Sequence, residues 1–99
     1  MSDRENIKSQ WTFLTNHAHV LLCIAKNPDC RLRDISDVVG ITERAVHRIV
    51  SELTEAGYVD AKRDGRCNVY VTHPEKNLRH PIEAHCQVAD LIHLMERKE

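Results

Sequence analysis

The sequence contains few of the residues that mark fibrous, low-complexity or membrane proteins. Its 99 residues include four aromatic side chains, three glycines and three prolines, so a collagen-like or proline-rich chain is excluded. No apolar run approaches the roughly 20 residues that a membrane-spanning helix needs. The first ten residues, MSDRENIKSQ, lack the apolar segment of a secretory signal. We therefore expect a cytoplasmic protein with no membrane partner.

An excess of charge of one sign is also lacking. Lys and Arg number 14 and Asp and Glu number 15, which gives a formal net charge of -1 with neutral His. Bulk charge alone therefore attracts neither nucleic acid nor a membrane surface. Hydrophobic residues make up 41% and charged residues 29%, a globular composition rather than a disordered one. A chain of this length suits one compact domain, which we predict over residues 1–99.

Paired cysteine motifs are absent as well. Cys23, Cys30, Cys67 and Cys86 stand singly, without a Cys-x-x-Cys pair, which favours a reducing compartment over a disulfide scaffold or a zinc ribbon. We expect Cys23 and Cys86 to be small buried residues, Cys86 within the last helix. Cys30 and Cys67 are predicted to be the more exposed thiols and are the candidates for a redox switch.

Apolar residues recur at helical spacing in the first half of the chain. This periodicity predicts helices over residues 14–25 and 32–39 and a third from Thr42, its N-cap, to about Ala56. Gly40 stands where a helix often ends in a left-handed residue. A shorter leading helix would hold the apolar residues Ile7, Trp11 and Phe13.

The pattern after residue 57 changes to the alternation of a β-hairpin. We predict strands over residues 58–62 and 67–72, joined by a three-residue loop of Asp64, Gly65 and Arg66. That loop would pair Ala61 with Val69 and Val59 with Val71, which collects apolar side chains on one face. Pro81 then suits the first position of a final helix that runs to about Arg97. The predicted fold is mainly α with a two-stranded hairpin.

The segment LRDISDVVGITERAVHRIVSEL has the pattern of a helix-turn-helix, in which the second helix enters the DNA major groove. Arg44 and Arg48 are four residues apart and point the same way, and arginine can hydrogen-bond guanine through two nitrogens. Glu43 could accept from a cytosine amino group, although an acidic residue in a first helical turn is equally explained by the helix dipole. The predicted DNA-facing side chains are Thr42, Glu43, Arg44, His47, Arg48 and Ser51.

The hairpin after this helix has a basic tip and would form a wing. Lys62, Arg63 and Arg66, with Asn68 close behind, are placed to contact flanking phosphates or the minor groove. The alternative is an ordinary charged hairpin protected against edge pairing. Residues 42–51 and 61–68 together carry a net charge of +3, and the rest of the chain carries -4. Arg31 or Arg33 could add a phosphate contact.

The run from Leu14 to Val71 resembles the small winged helix-turn-helix transcriptional regulators of the MarR/ArsR type. The resemblance implies a prokaryotic, homodimeric, sequence-specific regulator whose partners are double-stranded DNA and a second copy of the chain. Residues 42–57 would form the recognition helix in the major groove, and residues 58–72 a wing on flanking DNA. Residues 1–13 and 81–97 would dimerise, with interface side chains Trp11, Phe13, Val88, Leu91, Ile92 and Met95.

A metal site is the main alternative that this resemblance raises. ArsR-like sensors often carry one on the last helix, and Glu83, His85, His93 and Glu96 echo that pattern. The two histidines are eight residues apart, however, whereas the family pattern separates them by about three turns. The second helix also lacks paired cysteines. We therefore predict no metal or cofactor, and His85, His93 and Glu96 remain the metal candidates of a metal- or redox-responsive sensor. A small-molecule or metal effector is left open.

Two other classes of function are weighed against DNA binding. An enzyme is not expected, because the sequence has no glycine-rich phosphate loop, no paired carboxylates framed by a pocket and no nucleophile with an evident base. A winged helix can also act as a protein-interaction module. Such a module would carry an exposed apolar patch on the helix and wing, where this sequence carries cations.

Overall fold

The computed structural model describes residues 11–97. These residues form α1 Asn16–Lys26, α2 Leu32–Val39, α3 Glu43–Glu55, β1 Val59–Asp64, β2 Cys67–Thr72 and α4 Val88–Glu96. The predicted order of three helices, a hairpin and a last helix is confirmed. Ile7 lies outside the described residues, while Trp11 and Phe13 precede α1 in non-helical chain.

Side-chain caps explain where α1 and α3 begin. Thr42 Oγ1 accepts a hydrogen bond from the Ala45 N–H at 3.0 Å, which confirms Thr42 as the N-cap of α3. Thr15 does the same for α1 through the Ala18 N–H. These caps satisfy N–H groups that have no partner within the helix. The register of α3, and with it the face that reaches solvent, is thus set from its first turn.

Gly40 ends α2 and turns the chain into α3. Its φ is +87°, and both its N–H and that of Ile41 donate to the Ser36 carbonyl, at 2.8 and 3.2 Å. A left-handed residue that pairs the last carbonyls of a helix is the expected C-terminal arrangement. Only a glycine adopts this conformation without a steric cost. The turn brings α3 across α2 within three residues.

One apolar core lies between the three first helices, the hairpin and the start of α4. α3 contributes four of its buried residues from a single face, and Val88 at the start of α4 closes the other side. Side chains with less than 2% exposure are Val20, Ile24, Ile35, Val46, Ile49, Val59 and Val88. The core thus fixes the angle at which α3 presents its opposite, polar face.

The hairpin has a two-residue loop, so the predicted three-residue loop was wrong. Asp64 pairs with Cys67, and Ala61 pairs with Tyr70 rather than with Val69. Tyr70 is 5% exposed and belongs to the core, and its N–H donates to the Pro28 carbonyl at 2.9 Å. Burial of this large ring decides the register. The loop glycine has a φ of +67°, and glycine at the first loop position is typical of a type II′ turn.

The predicted final helix begins seven residues too early. Residues 73–87, which we call the strap, connect β2 to α4, and the part from Pro81 to Cys86 forms turns. The Asn77 side-chain amide donates to the Ala84 carbonyl at 2.6 Å, so this carbonyl is paired without a helix. The helix starts at Val88, capped by the Gln87 N–H donating to Asp90.

The strap also reaches back to the root of the hairpin. The Tyr58 hydroxyl donates to the Asn77 carbonyl at 2.6 Å, and the Val88 N–H donates to the Lys76 carbonyl at 2.9 Å. The wing root and the first turn of α4 therefore share one anchor. Within residues 11–97, every helix is too short or too polar to span a bilayer.

Candidate nucleic-acid interface

The exposed face of α3 carries the side chains that the sequence singled out. α3 buries Val46, Ile49, Val50 and Leu53 against the core, and the residues between them point outward. All six predicted DNA-facing residues, Thr42, Glu43, Arg44, His47, Arg48 and Ser51, are exposed. A single helix with a polar outer face of this kind has the dimensions that fit a major groove.

The two arginines of this face have different surroundings. Arg48 Nη1 lies 3.6 Å from Glu52 Oε2, one turn further along α3. Arg44 has no ion pair with any residue in the range 11–97. The guanidinium of Arg44 is thus available to an outside partner, whereas that of Arg48 already has an acidic neighbour.

Glu43 is paired as well. Its Oε2 lies 3.7 Å from Arg33 Nε on α2, with both side chains more than half exposed. Such a surface pair contributes about 0–1 kcal/mol, and Glu43 also stands in the first turn of α3, where a negative charge is favoured. The ion pair with Arg33 and the first-turn position favour the structural explanation of Glu43 over base reading.

The predicted residues of the wing are exposed, but they do not all lie on the same face of the hairpin. Lys62, Arg63, Arg66 and Asn68 are all exposed. The observed register pairs Arg63 with Asn68 and Lys62 with Val69, and successive residues of a strand point to opposite faces. Arg63 and Asn68 therefore share the face of Ala61 and Tyr70, and Lys62 lies on the other. Arg63 Nε also donates to the Gly65 carbonyl at 3.2 Å.

A cleft of about 400 Å³ separates α3 from the wing. It brings together His47 and Ser51 from α3 and Asn68 from β2, three predicted DNA-facing residues that are far apart in sequence. The remaining lining residues are Leu32, Val50, Thr54, Glu55, Ala61 and Tyr70. Sequence reasoning missed this juxtaposition, because it depends on the hairpin register that had been predicted wrongly.

A second contact that the sequence did not indicate joins α1 to α3. His17 Nε2 and Glu52 Oε1 form a hydrogen bond of 2.6 Å between residues 35 positions apart. The His17 imidazole, with a smaller contribution from Arg48, holds the pKa of the Glu52 carboxyl below its usual range. Of these contacts, the sequence indicates only the pair of Arg48 and Glu52, because residues four apart on a helix are neighbours.

A family model matches the segment that contains these helices. Residues 15–60, slightly less than half of the chain, match the family described as winged helix-turn-helix DNA-binding. This segment is therefore similar to that family. The matched range runs from the α1 cap through α3 into β1, so it includes the whole of the polar helix face described above.

A solved structure shows the same winged helix-turn-helix fold. The crystal structure of the PcaV transcriptional regulator from Streptomyces coelicolor, in complex with its natural ligand, is similar with a TM-score of 0.56 and 22% sequence identity. The likeness covers 86% of this chain and 63% of that one, so this chain spans less than two thirds of PcaV. A comparison with curated proteins finds no match. Together these findings confirm the predicted winged helix-turn-helix fold.

The thiols of this winged helix-turn-helix domain differ in accessibility. Cys67 is exposed, as predicted, but Cys30 is buried, so the prediction of an exposed Cys30 was wrong. Hydrogen bonds from the Cys30 and Tyr70 N–H groups to Asn27 and Pro28 hold the α1–α2 loop against the core. Burial raises the pKa of the Cys30 thiol. Cys86 is half-buried and lies in the strap, not in the last helix.

The residues considered for a metal site lie on two different segments. His85 belongs to the strap, while His93 and Glu96 belong to α4, so the expected arrangement on one helix was wrong. Within residues 11–97, no group of three His, Cys, Asp or Glu side chains is placed to hold a metal ion.

The side chains predicted for a dimer interface divide into two groups. Trp11 and Phe13 are 77% and 91% exposed, with their rings edge to face at 4.9 Å, and Met95 is half exposed. Val88, by contrast, is fully buried in its own chain, so in this fold it belongs to the core and not to a partner. Ile92 packs partly against the same core, and Leu91 is half-buried.

Proposed function

We propose that the chain is a sequence-specific, homodimeric regulator that acts by occupying promoter DNA. The exposed polar face of α3, within a segment similar to the winged helix-turn-helix DNA-binding family, is the observation that carries this proposal. α3 would enter the major groove, and the wing would lie along the flanking DNA.

Each group of side chains has a role in this proposal. Arg44 reads a base, because its guanidinium is exposed and has no acidic partner within residues 11–97. Arg48 reads a base or binds phosphate. His47 and Ser51 line the cleft with Asn68 and make shorter polar contacts. Lys62, Arg63 and Arg66 bind phosphates from both faces of the wing, which fixes register without reading sequence. Arg31 or Arg33 adds a phosphate contact from the start of α2.

Dimerisation is supported by apolar side chains at both ends of the described chain. Trp11, Phe13 and Met95, together with Leu94 at 51% exposure, are large apolar side chains in water that a second copy of the chain could cover. Two-fold symmetry would then require half-sites about one helical turn of DNA apart. A monomeric mass by light scattering at micromolar concentration would contradict the dimer while leaving DNA binding by one domain open to test.

Selection of bound sequences from a random DNA pool, with and without added zinc, tests the proposal and the metal-responsive alternative together. Once a site is known, Arg44→Ala should weaken it by about 1–3 kcal/mol and relax the preference at one base pair. Arg63→Ala should weaken all sequences alike and flatten the salt dependence.

Arg79→Ala removes an exposed cation of the strap, outside the α3 face, the wing and the proposed dimerisation segments, and serves as the control. Its binding should equal that of the wild type. If Arg44→Ala and Arg63→Ala also bind the selected site like the wild type in a mobility-shift titration, the assignment of α3 and the wing is wrong.

A further inference from the structure

Glu52 occupies a bridging position at the edge of the proposed DNA-reading face. Its two carboxylate oxygens have different partners: Oε1 is 2.6 Å from His17 Nε2 on α1, and Oε2 is 3.6 Å from Arg48 Nη1 on α3. The three side chains remain 44–61% exposed. One carboxylate thus connects the fixed first helix to a guanidinium on the outer face of α3.

The contact with Glu52 restricts the conformations of the Arg48 side chain. A free arginine side chain samples many rotamers, and fixing it in one geometry costs rotamer entropy. A carboxylate that is itself held by α1 limits the directions in which Arg48 points before any DNA arrives. Arg44, with no ion pair inside residues 11–97, lacks such a restraint.

We propose that Glu52, held by His17, is a positioning residue that orients Arg48 and thereby makes its base contact selective. The inference rests on the proposed function, because it assumes that α3 reads DNA. It also assigns a cost to Glu52: an anion near phosphates weakens binding to every sequence. Glu52 therefore exchanges some overall affinity for discrimination between bases.

Glu52→Gln and Asp37→Asn form a matched pair of variants for the test. Both remove one negative charge from an exposed carboxylate, and Asp37, on α2 and outside the cleft, has no ion pair with the residues that the structure describes. Affinities are measured for the selected site and for each single-base variant of it. The base pairs that Arg48 reads are identified beforehand as those at which Arg48→Ala loses discrimination.

Both variants should bind all sequences somewhat more tightly, but only Glu52→Gln should lose discrimination at the Arg48 positions. Loosening an arginine–guanine pair should reduce the discrimination roughly three- to tenfold. His17→Ala should reproduce this loss. His17→Gln keeps an N–H donor and should therefore retain much of the wild-type discrimination. Thermal unfolding of each variant separates a change of stability from a change of base preference.

Three outcomes decide the inference. Equal base profiles for Glu52→Gln and Asp37→Asn, with the wild type still selective, overturn the positioning role alone. A His17→Ala protein that keeps the wild-type profile overturns the part assigned to α1. A wild-type protein that selects no sequence overturns the proposed function, and the inference with it.

Discussion

Replacing Gly40 tests whether the geometry between α2 and α3 depends on a left-handed residue. Gly40 has a φ of +87°, and a Cβ built on it meets no atom within 4 Å. Gly40→Ala therefore changes backbone energy and not packing. The left-handed conformation costs an L-residue about 1–2 kcal/mol, and the reduced freedom of the unfolded chain offsets about 0.4–1 kcal/mol of this. We expect a net loss of about 1 kcal/mol in the free energy of unfolding.

The measurement is urea unfolding followed by far-UV circular dichroism, with the slope compared between variants so that a shifted midpoint reports stability alone. A loss of about 1 kcal/mol corresponds to about 4–8 °C in the melting temperature of a domain of this size. Gly40→Asn is the matched control, because asparagine tolerates the left-handed region better than alanine. Its loss should be clearly smaller.

Two results would refute this reasoning. Wild-type stability of Gly40→Ala would mean that the turn relaxes without cost, and equal losses for Ala and Asn would mean that something other than backbone conformation is responsible. Gly65→Ala is a second reference, since Gly65 has a φ of +67° and open space around it. It should also destabilise, but in the hairpin rather than between the helices.

Three further predictions concern single contacts. Tyr58→Phe removes the 2.6 Å hydrogen bond to Asn77 and should lower the free energy of unfolding by about 0.5–1.5 kcal/mol; an unchanged urea midpoint would argue against the shared anchor. Cys67 should react with a thiol reagent well before Cys30, because burial both shields Cys30 and raises the pKa of its thiol; peptide mass mapping would reveal the opposite order. The hydrogen bond between His17 and Glu52 should contribute to the stability of the fold at pH values above the usual glutamate pKa, and this contribution should disappear as the pH falls through the lowered pKa of Glu52. An NMR titration in which His17→Ala leaves the pKa of Glu52 unchanged would contradict this cause.

The parts of the fold that follow from local rules were predictable from the sequence. Thr42 and Gly40 sit at helix ends because their side chain or backbone satisfies groups that a helix leaves unpaired. The apolar spacing of α3 predicted which side is buried, and thus which polar residues are exposed. The helix-turn-helix pattern and the basic hairpin were visible for the same reason.

Features that depend on contacts between distant segments were not predictable. The hairpin has apolar residues on both faces, so the pattern alone could not show that Tyr70 rather than Val69 turns inward. Pro81 is a good first helical residue, yet hydrogen bonds from Asn77 and Leu78 hold the chain after it in turns. The bond between His17 and Glu52 joins residues 35 positions apart, and no periodicity reports such a pair.

The hairpin is held at two levels and is free beyond them. Tyr58 bonds to Asn77 of the strap, which also bonds to the first residue of α4, and Tyr70, opposite Ala61, is buried in the core. Three residues of β1 remain beyond that pair and span about 10 Å, so a tilt of about 12° there would displace the tip by about 2 Å. A displacement of this size is enough to break a hydrogen bond. Contacts of Arg63 and Arg66 with an outside partner would therefore depend on the tilt of the tip, with no change in the position of α3.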